Sequence, residues 1–318
     1  RGRAPAPGGR ARGGLRVGDF GFGPRGATVT VGSFDGVHLA HRAVLEETVR
    51  RAEAAGRSSV LVTFEPHPLE VVRPERAPAL LTLPMERRVA IAETGIGHLL
   101  VLRFDAAMAA LTPERFVREL LEGRAAMKEL VIGYDHGLGK GRSGTVDTLR
   151  DLGARDGFEL VVVPPVEVDG IRVSSSRIRE AIASGDLRLA ERMLGRPYRM
   201  AGAVQRGEQR GRRLGVPTVN LAVPPRKLLP PDGVYAVRVE WRDGAAGGML
   251  NQGAKPTFGD ATRTLEAHLF GVSRDLYGEW VRLEWVARLR DTRRFDSPTE
   301  LAAQLEDDRR AALAALGG

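Results

Sequence analysis

With 318 residues the chain can hold two domains of ordinary size, and 42% hydrophobic with 28% charged residues is a globular composition, neither disordered nor fibrous. The absence of cysteine excludes a disulfide framework, an iron–sulfur cluster, a thiolate zinc site and a cysteine nucleophile. Lys and Arg number 48 against 40 acidic residues, for a net charge of +8.

Residues 1–26 carry six arginines against one acid, Asp19, with nine glycines and three prolines, and read as a flexible basic tail. The arginines from Arg1 to Arg16 have no aromatics between them, unlike an RNA-binding arm. Only four of the 48 basic residues are lysines (Lys128, Lys140, Lys227, Lys255), a bias that reads as coding composition, so nucleic acid is not the expected partner. No run of about 18 apolar residues is present and the N-terminus lacks an apolar signal region, so a soluble cytoplasmic protein is expected, of unknown oligomeric state.

From residue 27 strands alternate with helices. Strands are predicted at Ala27–Gly32, Ser59–Phe64, Leu99–Arg103, Leu130–Gly133 and Leu160–Val163. A helix over 38–55 places Val44, Leu45, Val49 and Ala52 on one face and ends at Gly56; others lie near 85–94, 113–122 and 145–155, with Thr112-Pro113 opening the third. That alternation implies a parallel sheet covered on both faces, with ligands at its carboxyl edge. Near residue 197 the pattern changes to strict alternation, as in Val234–Trp241 and in Val281–Arg290, where Val281, Leu283, Trp285, Ala287 and Leu289 face one way. Glycine-rich turns such as Arg242–Gly248 separate the runs, which implies a small antiparallel barrel. Ser297-Pro298-Thr299-Glu300 opens a last helix with a cap and a capping-box Glu, its Leu301, Leu305, Ala312 and Leu316 facing the barrel. The junction lies in 184–197, dividing the chain into domains of residues 27–186 and 187–318.

Gly32-Ser33-Phe34-Asp35-Gly36-Val37-His38-Leu39-Ala40-His41 puts a strand end, two glycines and a helix start together. Free N–H groups at such a helix start form an anion site, and His38 and His41, three apart, share a face beside it. Alone, the pair fits solvent-facing or metal-binding histidines equally well. Ser174-Ser175-Ser176-Arg177-Ile178-Arg179 is a second polar turn entering a helix, with arginines suited to phosphate. In the second half, Gly202–Gly207 and Gly211–Asn220 are glycine-rich without a Walker A ending, and Thr218 and Asn220 offer neutral oxygens to Mg²⁺. Ordinary barrel turns would read the same way. In Thr264–Leu269, Glu266 and His268 fall on the polar face of a strand, where a carboxylate can take a proton from an attacking hydroxyl.

Gly32–His41, Thr63–Pro68, Ile132–His136 and Ser174–Arg179, followed by Gly207–Leu221, Asp232–Tyr235, Asn251–Phe258, Leu265–Leu269 and Leu276–Gly278, resemble in order the motifs of prokaryotic bifunctional riboflavin kinase/FAD synthetases. The resemblance implies a Rossmann-like nucleotidyltransferase domain, then a six-stranded antiparallel riboflavin kinase barrel with a terminal helix. It implies phosphorylation of riboflavin to FMN and transfer of AMP from ATP to FMN, giving FAD and pyrophosphate, with Mg²⁺. His38 and His41 would contact the triphosphate, and Gly32 and Phe34 would line the nucleotide turn. Ser175, Ser176 and Arg179 would bind phosphates, and Asp135 would lie near the flavin–adenine region. Thr218 and Asn220 would bind Mg-ATP, Gly207 and Gly211 its phosphates, and Glu266 would be the base. Two positions depart from the family pattern: Ala40 replaces the glycine between the histidines, and Gly137-Leu138 replaces Arg-Phe. They motivate an alternative in which the adenylyltransferase half is weakened or inactive. Lys255 replaces the usual arginine, keeping charge but losing the planar fork.

Overall fold

The structure, a computed structural model, describes residues 15–18, 21–206, 218–254 and 263–317. They form two compact units, one ending at Ser175 and the other beginning at Ser176.

The first unit is built on a six-stranded sheet: β1 (Arg16–Val17), β2 (Ala27–Val31), β3 (Ser58–Glu65), β4 (His98–Arg103), β5 (Met127–Gly133) and β6 (Glu159–Val163), in the order β1-β4-β3-β2-β5-β6. Every pairing is parallel. Adjacent strand residues serve opposite faces. Val62, Leu100 and Ile132 enter one core with Phe116, Leu121 and Leu149, whereas Leu61, Leu99 and Val131 enter another with Leu45 and Ile91. Burial on both sides is what makes these strands continuous apolar runs. β1 lies within the stretch whose composition reads as a tail: Arg16 and Val17 pair with His98 and Leu99, satisfying the edge of β4.

Helix α1 (Leu39–Ala54) buries Val44, Leu45, Thr48 and Ala52. Thr48 takes the place expected for Val49 because its hydroxyl donates to the Val44 carbonyl at 2.7 Å and so needs no water; Val49 is half-buried at the same core. After α2 (Pro68–Val72), α3 (Pro84–Ala92) and α4 (Ala106–Ala109), Thr112 caps α5 (Pro113–Arg115) as expected. The continuation is a π segment, Phe116–Glu122, then α6 (Gly123–Ala125). The wider π turn gathers Phe116, Val117, Leu120 and Leu121 onto a narrow arc, and all four are buried. Helix α7 (Val146–Asp156) and the hairpin β7 (Glu167–Val168)–β8 (Ile171–Arg172) follow.

Helix α8 (Ser175–Ser184), whose first residue ends the first unit, and α9 (Leu187–Leu194) precede a closed barrel in the second. Its strands are β9 (Tyr198–Gln205), β10 (Thr218–Ala222), β11 (Gly233–Trp241), β12 (Gly244–Ala254), β13 (Arg263–Leu269) and β14 (Trp280–Arg290), closing in the order β10-β13-β12-β11-β14-β9. Three expectations change here. Gly244–Gly248 belong to β12 rather than to a turn: a Cβ at Gly247 would lie 2.7 Å from Leu316, and one at Gly248 2.3 Å from the His268 carbonyl oxygen. Val281, Leu283 and Trp285 are buried together, but register shifts against β11 turn Ala287 and Leu289 to the other face, into a cluster with Ala236 and Ala312. Ser297 caps the final helix α10 (Pro298–Leu316), yet the Glu300 carboxylate accepts from Asp296 N at 3.2 Å rather than from the cap residue. Leu305, Ala312 and Leu316 pack on the barrel, while Leu301 is only half-buried.

Inside the barrel a polar network is satisfied. Gln252 donates to the carbonyls of Pro230 and Pro231 at 2.6 and 3.2 Å and accepts from Trp285 Nε1 at 3.2 Å. Its complete pairing removes the penalty of burying an amide.

Candidate active sites

In the first unit the direction of winding reverses between β2 and β5, since the chain goes from β2 outward to β3 but returns to place β5 on the opposite flank. The crevice at such a switch point is where ligands of open parallel sheets bind. The segments leaving β2 and β5 there are 32–38 and 134–139.

The first segment is a strained turn. Phe34, Gly36 and Val37 have φ of +49°, +87° and +40°. The left-handed region costs a non-glycine residue about 1–3 kcal/mol, so surrounding contacts must hold it. Asp35, 1% exposed, supplies several: its carboxylate accepts from Leu81 N (3.0 Å), Thr82 N (2.8 Å) and Thr82 Oγ1 (3.0 Å). Gly36 N donates to Thr82 Oγ1 at 2.9 Å, and Ser175 Oγ donates to the Asp35 carbonyl at 2.9 Å. A Cβ at Gly32 would lie 3.1 Å from the Phe34 ring, a tight contact that a side chain there could make only if the ring gave way by a few tenths of an ångström.

Helix α1 starts at Leu39, one residue later than the sequence suggests, and His38 is its N-cap. His38 has extended backbone, and its Nδ1 accepts from His41 N at 3.3 Å. With Nδ1 occupied as an acceptor, the proton of the neutral His38 imidazole sits on Nε2. The two imidazoles stack, their centroids 3.6 Å apart and their planes 14° from parallel, and the Phe34 ring lies 4.7 Å from His41. Both predicted histidines, with Gly32 and Phe34, are therefore gathered at one turn, and Ser175 joins it through Asp35.

After β5, Asp135 is exposed and its carbonyl accepts from Arg142 Nη2 at 2.9 Å. His136 beside it is held neutral: burial, with Arg142 nearby, lowers its pKa to about 4. Leu138, at one of the departing positions, is buried in the sheet core. Ser176 (exposed) and Arg179 (half-buried) lie on α8 in the second unit, where the neighbouring Arg177 pairs with Glu180 at 3.0 Å.

Thr82 and Arg87 are absent from the sequence reading. Arg87 is 3% exposed and donates to the Ser33 carbonyl at 3.1 Å, the Phe64 carbonyl at 3.2 Å and Glu65 Oε1 at 3.4 Å. Burial pushes its pKa down, opposed by Glu65 and Asp35. The readable signal was a charged residue on the helical face shared with Ala90 and Ile91.

In the barrel, β10 pairs with both β9 and β13. Asn220 is opposite Glu266 on one side and Gln205 on the other, and Asn251 of β12 flanks Glu266. Leu265, Ala267 and Leu269 are buried while Thr264, Glu266 and His268 are half-buried, the predicted alternation. Thr218 lies in β10 opposite His268, but its side chain, like Gly207, Gly211 and Lys255, is outside the described residues. The arrangement places an amide and a carboxylate side by side on one barrel wall.

A family model described as FAD synthetase matches residues 23–177, and one described as riboflavin kinase matches residues 194–316. The chain is 37% identical over 284 residues to the bifunctional riboflavin kinase/FMN adenylyltransferase of Escherichia coli K12, covering 89% of this chain and 90% of that one. It is 38% identical over 291 residues to the protein of the same description from Pseudomonas fluorescens, covering 91% and 93%. A crystal structure described as a macrolide-efflux protein from Streptococcus pneumoniae matches with a TM-score of 0.84 at 31% identity, over 94% of this chain and 98% of that one. That description is of the Streptococcus protein; among the described residues here, no helix is long and apolar enough to cross a membrane.

Proposed function

The chain belongs to the bifunctional riboflavin kinase/FMN adenylyltransferase family, and from that premise we propose which of its residues perform the two reactions. The protein phosphorylates riboflavin to FMN and adenylylates FMN to FAD, with ATP as co-substrate of both; the paired domains favour this over a chain active only as a kinase. We assign adenylyl transfer to a domain of residues 27–186 and phosphorylation to 187–318.

In the kinase reaction the riboflavin 5′-hydroxyl attacks the γ-phosphorus of ATP and ADP leaves. Glu266 takes the hydroxyl proton as the O–P bond forms. Among the described residues no group of three or more His, Asp or Glu is placed to hold a metal. Mg²⁺ does not need one: it keeps waters and substrate phosphates as ligands, and an amide oxygen beside a carboxylate suits it. Asn220 and Thr218 would hold it; bound there, it would neutralise charge on the phosphates. Gly207 and Gly211 would let backbone N–H groups approach those phosphates.

In the second reaction a phosphate oxygen of FMN attacks the α-phosphorus of ATP and pyrophosphate leaves. That oxygen is already anionic, so no general base is needed, and positioning with charge stabilisation carries the rate. His38 and His41 donate hydrogen bonds to the triphosphate, Gly32 and Phe34 line the nucleotide, and Ser175, Ser176 and Arg179 hold phosphates. Asp135 lies toward the flavin. With riboflavin, FMN and ATP as substrates, we place the enzyme in the cytoplasm.

The observation that carries this reading is the presence of one chemically suited cluster in each unit: stacked His38 and His41 in the first, opposed Asn220 and Glu266 in the second. The test is a time course with riboflavin, ATP and Mg²⁺ in which FMN and FAD are resolved chromatographically. FMN should form first and FAD follow; failure to form FAD from supplied FMN would overturn the assignment of the first unit.

A further inference from the structure

An arginine in a core needs partners for its donors and its charge. The Arg87 guanidinium finds them on two different segments, the turn after β2 and the end of β3. It donates to Ser33 at the end of β2 and to Phe64 near the end of β3, while Glu65, shared with Arg88 at 3.1 Å, faces its charge. Thr63 Oγ1 also donates to the Ser33 carbonyl, at 3.4 Å. The turn beginning at Ser33 is the one with three left-handed residues, two of them not glycine. Its attachments to residues 81–87 include the Asp35 carboxylate to Leu81 and Thr82, the Gly36 N–H to Thr82, and the Ser33 carbonyl to Arg87. The next residue, Phe34, packs on His41.

We propose that Arg87, assisted by Thr82, is a positioning residue for FMN adenylylation: it holds the strained turn so that His38 and His41 are aimed at the triphosphate. The residue touches no substrate; it acts through Ser33 and Phe34. The inference rests on the reading that the histidine pair acts on the triphosphate. Misplacing a reacting constellation by about 1 Å costs about 100-fold in rate, so the effect belongs in kcat rather than in ATP binding.

The test measures FAD formation from FMN and FMN formation from riboflavin in the same preparations of wild type, Arg87→Met, Arg87→Lys, Thr82→Val and His41→Ala. Arg87→Met should lower kcat for FAD formation by about 100-fold, with KM for ATP within about threefold and kinase activity unchanged. Arg87→Lys, which keeps the charge and donors on a single nitrogen but loses the planar fork, should recover part of the loss. Thr82→Val, isosteric but without the hydroxyl, should act in the same direction and carries the test if Arg87→Met does not fold. If Arg87→Met or Thr82→Val is folded and keeps wild-type kcat while His41→Ala abolishes FAD formation, the positioning role is overturned and the histidine reading stands. If His41→Ala keeps FAD formation, the histidine reading itself is wrong. A rise in KM for ATP with kcat intact would also overturn the proposal.

Discussion

Asn220 and Glu266 are direct cross-strand partners in the antiparallel pairing of β10 with β13, 46 positions apart in the chain. Side chains opposite one another on one face of such a pair have Cβ atoms about 5 Å apart, close enough to share a ligand. Glu266→Ala should therefore lower riboflavin phosphorylation by about 10²–10⁴-fold, the range for a lost general base. Conversion of supplied FMN to FAD should be spared. Assaying both reactions on one folded preparation checks this, and equal impairment of the two would refute the division of labour.

His41→Ala should do the reverse. It removes one imidazole of the stack and the ring that Phe34 packs against, but leaves the barrel untouched. FAD formation should fall by about 100-fold or more with kinase turnover unchanged, as read from initial rates with saturating ATP.

Asp308 fastens α10 to the barrel. Its carboxylate, 4% exposed, accepts from Arg290 Nε and Nη2 at 2.8 and 2.7 Å and from Gln304 at 2.8 Å. Removing one partner leaves a largely buried guanidinium uncompensated, so Asp308→Ala should destabilise the second unit by about 3 kcal/mol. Urea unfolding followed by Trp fluorescence measures it; a change within about 0.5 kcal/mol would show that the pair is neutral.

The first unit should weaken in mild acid. His136 has a folded pKa of about 4 against an ordinary 6.5, so between those values the unfolded chain binds a proton that the folded one does not. Stability is then fully present above pH 6.5 and declines toward pH 4, by at most about 1.4 kcal/mol per unit. In His136→Phe the pH dependence of unfolding should be flatter across that window. An unchanged slope would assign the acid sensitivity elsewhere.

What could be read ahead of the structure was mostly local. Gly32, Phe34, His38 and His41 lie within ten residues, so a strand end, a turn and a helix cap force them together. Glu266 was readable as polar-facing from period-two alternation, but its pairing with Asn220 depends on register between strands far apart in sequence. The partners of Thr82 and Arg87 were hidden for the same reason: they meet Asp35 and Ser33 across 47 and 54 positions. The bulged end of β14 defeats alternation by construction, since each extra residue reverses which face follows.

One further link concerns α1. Near the end remote from its histidine cap, Arg51 is paired with Glu129, whose side chain is 3% exposed and also accepts from Thr28 Oγ1 at 2.8 Å; Arg51 reaches Glu159 as well. Sixteen residues of helix make a rod about 24 Å long. Pinning its tail sets the bearing of its tip, as a tiller sets a rudder. Slackening at Glu129 would thus surface as angular scatter of the imidazoles at the opposite rim of the sheet, with every group that meets the nucleotide still chemically intact.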